Sequence, residues 1–241
     1  IRLGICSEFL HSHAVNNFFG NVIKDLASSG IEIIIFRGPN SKYDEQSKSL
    51  DSFVSKSITL PNHLQNGCKI ILNESIDILL YPEIGMSSFT YLLSLSRLAL
   101  VQVNALGHPS TSGSPNIDYA ILCDDFFVKG SEKHFSEHII RLSRMPSNYK
   151  APVIKESNFK RSDLNLPDKA FLIGLPHTLF KYHPDFDFIL DKILEEIPNA
   201  YYYCAEGKKD SLTKCLKERW GDKTKLLLKR TIFHPQVSLK K

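Results

Sequence analysis

Residues 98–125 read LALVQVNALGHPSTSGSPNIDYAILCDD, and this stretch decides the fold. An apolar, strand-like run from Leu98 to Leu106 ends at Gly107 and opens into a loop of small, hydroxyl-bearing residues at 110–113. A second apolar run, residues 118–123, follows directly. A buried parallel strand followed by such a loop is how α/β proteins present backbone donors to ligands. The loop residues fit a plain turn and a ligand-binding loop equally well, so the spacing alone leaves both readings open.

Strand and helix patterns alternate on the N-terminal side of this stretch. The predicted strands are residues 2–7, 31–36, 52–59 and 77–81, and the predicted helices are residues 15–28, 61–73 and 87–96. Alternation of this kind favours a parallel, doubly wound sheet, because each parallel strand needs a crossover to reach the next. The strands are continuously apolar, which indicates a sheet covered on both faces.

Residues 144–166 interrupt the alternation. Pro146, Pro152 and the polar run at 155–163 are typical of a linker. The pattern then restarts, with strands predicted at 169–176, 200–205 and 231–233 and helices at 185–196 and 211–220. We therefore predict a first domain at 1–150, a linker at 151–167 and the first part of a second domain at 168–241.

The second domain is expected to be incomplete in this chain. It has three predicted strands, fewer than a stable parallel sheet usually contains. The chain also begins inside a strand pattern without a methionine. Both features indicate a piece of a longer protein.

Composition excludes several classes of protein. Of the 241 residues, 42% are hydrophobic and 23% charged, as in soluble globular proteins. The net charge of +4 is too small to indicate a nucleic-acid partner. No apolar run approaches the roughly 18 residues that a membrane span needs. The five cysteines show no metal spacing and are predicted to be reduced thiols of a cytosolic protein.

Two candidate sites lie where a predicted strand leads into a helix. His11 and His13 follow the first strand, where a histidine can act as a base, donate to a phosphate or cap the helix. Their spacing favours capping or surface exposure. Lys181 precedes the helix at 185–196, and a lysine beside a helix N-terminus is unfavourable unless an anion lies between them. Lys181 therefore fits either a phosphate ligand or an ordinary surface lysine.

Dinucleotide, P-loop, zinc-protease and α/β-hydrolase signatures are absent from the sequence. One resemblance to a known family remains, carried by a set of motifs. These are residues 77–87 (DILLYPEIGMS), 95–99 (LSRLA), 105–113 (ALGHPSTSG), 117–119 (IDY), 134–137 (HFSE), 141–142 (RL), 167–168 (PD) and 180–184 (FKYHP). Together they resemble the bacterial cytoplasmic N-glycosyltransferases that modify adhesins, which belong with the O-GlcNAc transferases in glycosyltransferase family 41.

The resemblance implies a GT-B architecture of two Rossmann-like, doubly wound domains, the first on the acceptor side and the second binding the nucleotide sugar. It implies catalysis without a metal or other cofactor. The residues assigned by it to UDP-sugar binding are Lys181, Gly107, Pro109, Thr111, Thr178, His234, Gln236 and Val237. Within that set, Lys181 would hold the diphosphate, and Gly107, Pro109 and Thr111 would border the sugar and the acceptor. His13 would match the family's active-site histidine, with His11 beside it.

The function that follows is inverting transfer of a hexose or N-acetylhexosamine from a UDP-sugar to a protein or peptide in the cytoplasm. The acceptor residue, Asn or Ser/Thr, stays open. An isolated piece of such an enzyme is expected to be poorly active at best. The alternative is a non-catalytic module of the same fold that binds a nucleotide sugar or a protein.

Overall fold

The computed structural model describes residues 1–108, 110–151, 160–164 and 166–235. The chain divides into two compact units, Ile1–Val153 (unit 1) and Ile154–Lys241 (unit 2). Each unit is built on its own parallel sheet.

Unit 1 alternates strands and helices as its sequence pattern predicts. Its strands are β1 (Arg2–Ser7), β2 (Glu32–Arg37), β3 (Lys56–Thr59), β4 (Ile78–Tyr81), β5 (Val101–Asn104), β6 (Tyr119–Cys123) and β7 (His138–Leu142). Its helices are α1 (Ala14–Ser28), α2 (Glu45–Asp51), α3 (Leu64–Asn73) and α4 (Ser88–Ser94). All strands are parallel, in the order β3-β2-β1-β4-β5-β6-β7. The direction of winding therefore reverses between β1 and β4.

Both faces of this sheet are covered, as the continuous apolar strands indicated. On β2, Ile33 and Ile35 pack in one buried cluster with the α1 face, whereas Ile34 and Phe36 pack in the other with α3 and α4. Successive side chains of a strand point to opposite faces, so an unbroken apolar strand requires two cores.

Three elements of unit 1 differ from the sequence prediction. The strand expected at 52–59 is only the four residues of β3, and α2 and β7 were not predicted. The buried residues of α2 are Ser47 and Leu50, so this helix lacks the apolar periodicity by which a helix is predicted. The Asp44 side chain caps α2 by accepting hydrogen bonds from Gln46 N and Ser47 N. β7 is a half-exposed edge strand.

Unit 2 contains β8 (Phe171–Leu175), α5 (Pro184–Glu196), β9 (Ala200–Ala205), α6 (Asp210–Lys223) and β10 (Thr231–His234). Its described strands form a parallel sheet in the order β10-β9-β8. Trp220 is fully buried in the core of this unit, and its indole N–H donates to Asp187 Oδ1 at 2.9 Å. No helix in the described part of the chain is long and apolar enough to cross a membrane.

Candidate active site

Three adjacent strands of unit 1 end at the same edge of the sheet and carry the residues of interest. His11 and His13 follow β1, Glu83 follows β4 and Gly107 follows β5. The reversal of winding lies between β1 and β4. In open α/β sheets ligands bind outside the carboxyl ends of the strands at such a reversal.

His13 is the N-cap of α1. Its backbone is extended, with φ −150° and ψ 157°, and its Nδ1 accepts a hydrogen bond from Val15 N at 3.2 Å. Burial, followed by the charge of Lys42, lowers its pKa, so the ring is neutral at pH 7. Because Nδ1 accepts, the proton of the neutral ring lies on Nε2. The capping role that the spacing favoured is therefore present in the structure.

His11 is buried beside this cap. Its ring centroid lies 5.7 Å from that of His13, and its Nδ1 has no hydrogen-bond partner among the described residues. Burial lowers the pKa of His11 despite the opposing charge of Asp44. The two imidazoles are thus neutral and adjacent, which the i, i+2 spacing alone could not establish.

Glu83 was not identified from the sequence. Only 1% of it is exposed, and neither carboxylate oxygen has a partner of normal hydrogen-bond geometry among the described residues. Burial raises the pKa of Glu83 to about 8, against the opposing influence of the Ser7 hydroxyl and the Glu8 main-chain N–H. The group is therefore mostly protonated at neutral pH. Its position directly after Tyr81 and Pro82, at a strand end, was the signal that could have revealed it.

The loop after β5 packs closely against the turn after β4. Gly107 N donates to Pro82 O at 2.8 Å, and a Cβ at Gly107 would lie 2.4 Å from that oxygen, so only glycine fits. The His108 ring lies over Gly85, whose φ of +101° also favours glycine. Pro109 lies outside the described residues.

Thr111 uses its hydroxyl within the protein. Thr111 Oγ1 donates to Glu137 Oε2 at 2.6 Å and accepts from the amides of Gly113 and Ser136. A sugar beside Thr111 would therefore meet its main chain or its methyl group.

In unit 2, the loop after β8 places Thr178 and Lys181 on the surface just before α5. Residues Leu179–Lys181 form a single 3-10 turn, and Lys181 N donates to Thr178 O at 2.9 Å. His183 caps α5 by accepting from Asp185 N. The N-terminus of this helix carries partial positive charge, so it and Lys181 both favour an anion.

His234 is the last residue of β10, and its ring lies 5.8 Å from that of Tyr203. Because β8, β9 and β10 are parallel, His234 lies at the same edge of the sheet as the Lys181 loop. Gln236 and Val237 lie outside the described residues. Within the described ranges, no group of three or more His, Cys, Asp or Glu side chains is arranged to hold a metal ion.

Comparison with curated proteins finds two protein glycosyltransferases that resemble parts of this chain. The UDP-glucose:protein N-beta-glucosyltransferase of Actinobacillus pleuropneumoniae serotype 5b (strain L20) is 32% identical over 140 residues, which are 58% of this chain and 22% of that protein. A probable UDP-N-acetylglucosamine–peptide N-acetylglucosaminyltransferase of Arabidopsis thaliana is 24% identical over 211 residues, 83% of this chain and 21% of that protein.

The chain is similar in sequence to a protein N-glucosyltransferase and to a probable O-GlcNAc transferase. It spans about a fifth of the length of these curated relatives. No protein-family model matches it. The resemblance found in the motifs is thus confirmed by proteins of both branches.

The fold of the chain is of the GT-B type. A mutant of the Thermobaculum terrenum O-GlcNAc transferase superimposes with a TM-score of 0.80 at 20% identity, covering 99% of this chain and 45% of that chain. The seven-stranded parallel sheet and the second, three-stranded sheet agree with the predicted fold class.

Proposed function

We propose that the protein is an inverting, metal-independent glycosyltransferase that moves a hexose or N-acetylhexosamine from a UDP-sugar to a protein side chain in the cytoplasm. The observation that carries the proposal is the relationship to a UDP-glucose:protein N-beta-glucosyltransferase at 32% identity over 140 residues. The positions of the histidines and of Lys181, each at the carboxyl end of a strand in its own unit, support it. Nucleic acid has no role in the proposal.

In the proposed donor site, Lys181 and the N-terminus of α5 bind the diphosphate. Charge develops on the departing UDP as the bond to the anomeric carbon breaks, and cationic groups held in place for that charge lower the barrier. Thr178, His234, Gln236 and Val237 contribute to nucleotide binding in this scheme. Gly107, Pro109 and Thr111 border the sugar and the acceptor, chiefly through their main chain.

His13 then acts as a hydrogen-bond donor. Its Nδ1 is occupied by Val15 N–H and its ring is neutral, so Nε2 offers a proton and no lone pair. We therefore assign His13 to orienting the acceptor or a donor oxygen, and not to removing the acceptor's proton. The ring of His11 lies nearly parallel to that of His13, and in this proposal it helps to orient that ring.

UDP binding tests the donor site directly. Lys181→Ala is expected to weaken UDP binding at least about tenfold in calorimetry, since a charge-assisted contact to phosphate is lost. Lys192→Ala removes an exposed lysine of α5 and is the matched control. Equal UDP affinity in the wild type and Lys181→Ala would contradict the diphosphate assignment.

Transfer itself is tested by mass spectrometry of acceptor peptides carrying Asn, Ser or Thr after incubation with UDP-glucose or UDP-GlcNAc. A mass increase of one hexose or one N-acetylhexosamine supports the enzyme. UDP binding without any transfer would instead support the non-catalytic module.

A further inference from the structure

Glu137 is a buried carboxylate in the connection between β6 and β7, and the proposed mechanism gives it no role. Only 6% of the residue is exposed. Its Oε1 accepts from Ser112 N at 2.7 Å, and its Oε2 accepts from the Thr111 hydroxyl at 2.6 Å. One carboxylate thus holds two consecutive residues of the loop that follows β5.

The charge of Glu137 strengthens these contacts. Burial alone would raise its pKa, but the hydrogen bonds from Ser112 and Thr111 outweigh burial and lower it. The group is therefore ionised at neutral pH. Hydrogen bonds to an ionised acceptor are roughly twice as strong as neutral ones.

The Thr111 hydroxyl forms hydrogen bonds with Glu137, Gly113 and Ser136. It donates its only proton to Glu137 and accepts from Gly113 N at 3.2 Å and Ser136 N at 3.1 Å. Gly113 has a φ of +63°, a left-handed backbone conformation that favours glycine. The Thr111 hydroxyl thus links the loop after β5 to the connection between β6 and β7 by hydrogen bonds.

The stagger of the strands brings Glu137 to this loop. Tyr119 of β6 pairs with Val103 of β5, and His138 of β7 pairs with Tyr119. The first residues of β6 and β7 therefore lie level with the penultimate residue of β5. Glu137, one residue before β7, reaches the loop that leaves β5.

The part of this loop between residues 107 and 112 is consequently held at three points. At its start, Gly107 N donates to Pro82 O. In its middle, Asn104 Nδ2 donates to Ser110 O at 3.4 Å. Two residues further on, Glu137 accepts a hydrogen bond from the main-chain N–H of Ser112.

We propose that Glu137 is a positioning residue for sugar transfer, which fixes the main chain at Thr111 and Ser112 and thereby sets the geometry of the loop beside the sugar. The inference rests on the proposed function, because it needs that loop to border the sugar and the acceptor. A displacement of about 1 Å can lower a rate about 100-fold. We expect loss of the Glu137 carboxylate to displace the main chain at Ser112, because that carboxylate accepts from Ser112 N.

The test compares Glu137→Ala and Glu137→Gln with Asp118→Asn. Asp118 is a matched control, since its carboxylate also accepts from a main-chain amide, Gln102 N, and pairs with Arg97. Two quantities are measured in the intact protein: hydrogen exchange at the amide of Ser112, and steady-state transfer from UDP-sugar to an acceptor peptide.

Glu137→Ala is expected to speed exchange at Ser112 at least about tenfold and to lower kcat about tenfold to 100-fold, with KM for the UDP-sugar within about twofold. Glu137→Gln keeps a carbonyl oxygen that can accept from Ser112 N. We therefore expect this variant to change the exchange rate at Ser112 and kcat less than Glu137→Ala does. Asp118→Asn is expected to leave the exchange at Ser112 unchanged.

Two results would overturn the inference. One is unchanged exchange at Ser112 in folded Glu137→Ala or, should that variant not fold, in Glu137→Gln. The other is faster exchange with wild-type kcat, which would make Glu137 a purely structural anchor. Absence of transfer by the wild type with every UDP-sugar is a different failure, because it overturns the proposed function itself and with it the role assigned here.

Discussion

The carboxyl group of Glu83 shows how much one residue's surroundings matter in this protein. Two buried glutamates behave in opposite ways: Glu137 receives hydrogen bonds of normal geometry and stays ionised, whereas Glu83 receives none among the described residues and keeps its proton. Burial without a partner disfavours the charged form. Both carboxylates are glutamates near strand ends, so the sequence does not distinguish them.

Glu83 is expected to make stability depend on pH. Its pKa is raised in the folded protein to about 8 from an ordinary value of 4.5, so its favourable contribution is complete below pH 4.5 and is lost as the pH rises towards 8. Glu83→Gln cannot ionise. The difference in melting temperature, Glu83→Gln minus wild type, should therefore grow from pH 5 to pH 8 and level off above it.

Glu45→Gln, an exposed site on α2, is the control for the Glu83 experiment and should show a nearly constant difference over this range. A Glu83→Gln difference that is equally flat would show that Glu83 is ionised throughout.

His13 allows capping and catalysis to be separated. Alanine removes both the cap and the imidazole and should cost about 1 kcal/mol of stability, whereas asparagine is a good N-cap and should restore it. If the ring takes part in transfer, His13→Asn keeps the stability of the wild type and loses activity. Thermal unfolding and transfer kinetics are measured together; full activity in His13→Asn would reduce His13 to a cap.

At the scale of elements, the loop between β5 and β6 depends on the turn after β4. The first apolar run of the opening stretch is longer than the strand it forms: β5 is Val101–Asn104, and Leu100 is 79% exposed. The sequence predicted that a strand and a loop were present, because apolar runs and glycine mark them. The contact between Gly107 and Pro82 joins residues that are distant in sequence, so no local sequence pattern predicts it.

Gly107→Ala tests that contact. The added Cβ would lie 2.4 Å from Pro82 O, and because that oxygen is a backbone atom and the Cβ is fixed to its own main chain, relief requires the loop to move. We expect a loss of about 1–3 kcal/mol in urea unfolding, typical of overpacking. Gly174→Ala in β8, where a Cβ meets nothing within 4 Å, is the control. Similar losses in both variants would show that the approach to Pro82 is not tight.

At the scale of the whole molecule, each unit has a core of its own. Leu194 is fully buried in the cluster of unit 2, and Leu79 is fully buried in a cluster of unit 1. The chain has a single tryptophan, Trp220, and it lies in the core of unit 2. Its fluorescence is therefore a local probe of that unit.

We expect Leu194→Ala to lower the midpoint of the unfolding transition that Trp220 fluorescence follows. The shift should correspond to a loss of about 2–5 kcal/mol in the free energy of unfolding. Leu79→Ala is of the same type and burial, and it should affect circular dichroism more than tryptophan fluorescence. Equal shifts of the fluorescence transition in both variants would show that the units unfold as one.

The amino-acid sequence was enough to predict the parallel α/β class, most of the strands and helices and the resemblance to protein glycosyltransferases. Local periodicity and short motifs carry these features, so no contact between distant residues is needed to read them. It missed α2 and β7, since a polar helix held by an Asp44 cap and an exposed edge strand lack that periodicity.

The roles of individual side chains became apparent from the folded structure. Burial, hydrogen-bond partners and strand register arise from residues far apart in sequence. They fix the neutral state of His11 and His13, the protonated Glu83 and the commitment of the Thr111 hydroxyl to Glu137. A glycine, a histidine or a glutamate has no fixed role until its neighbours are in place, because desolvation and hydrogen bonding set its charge and its freedom to contact a ligand.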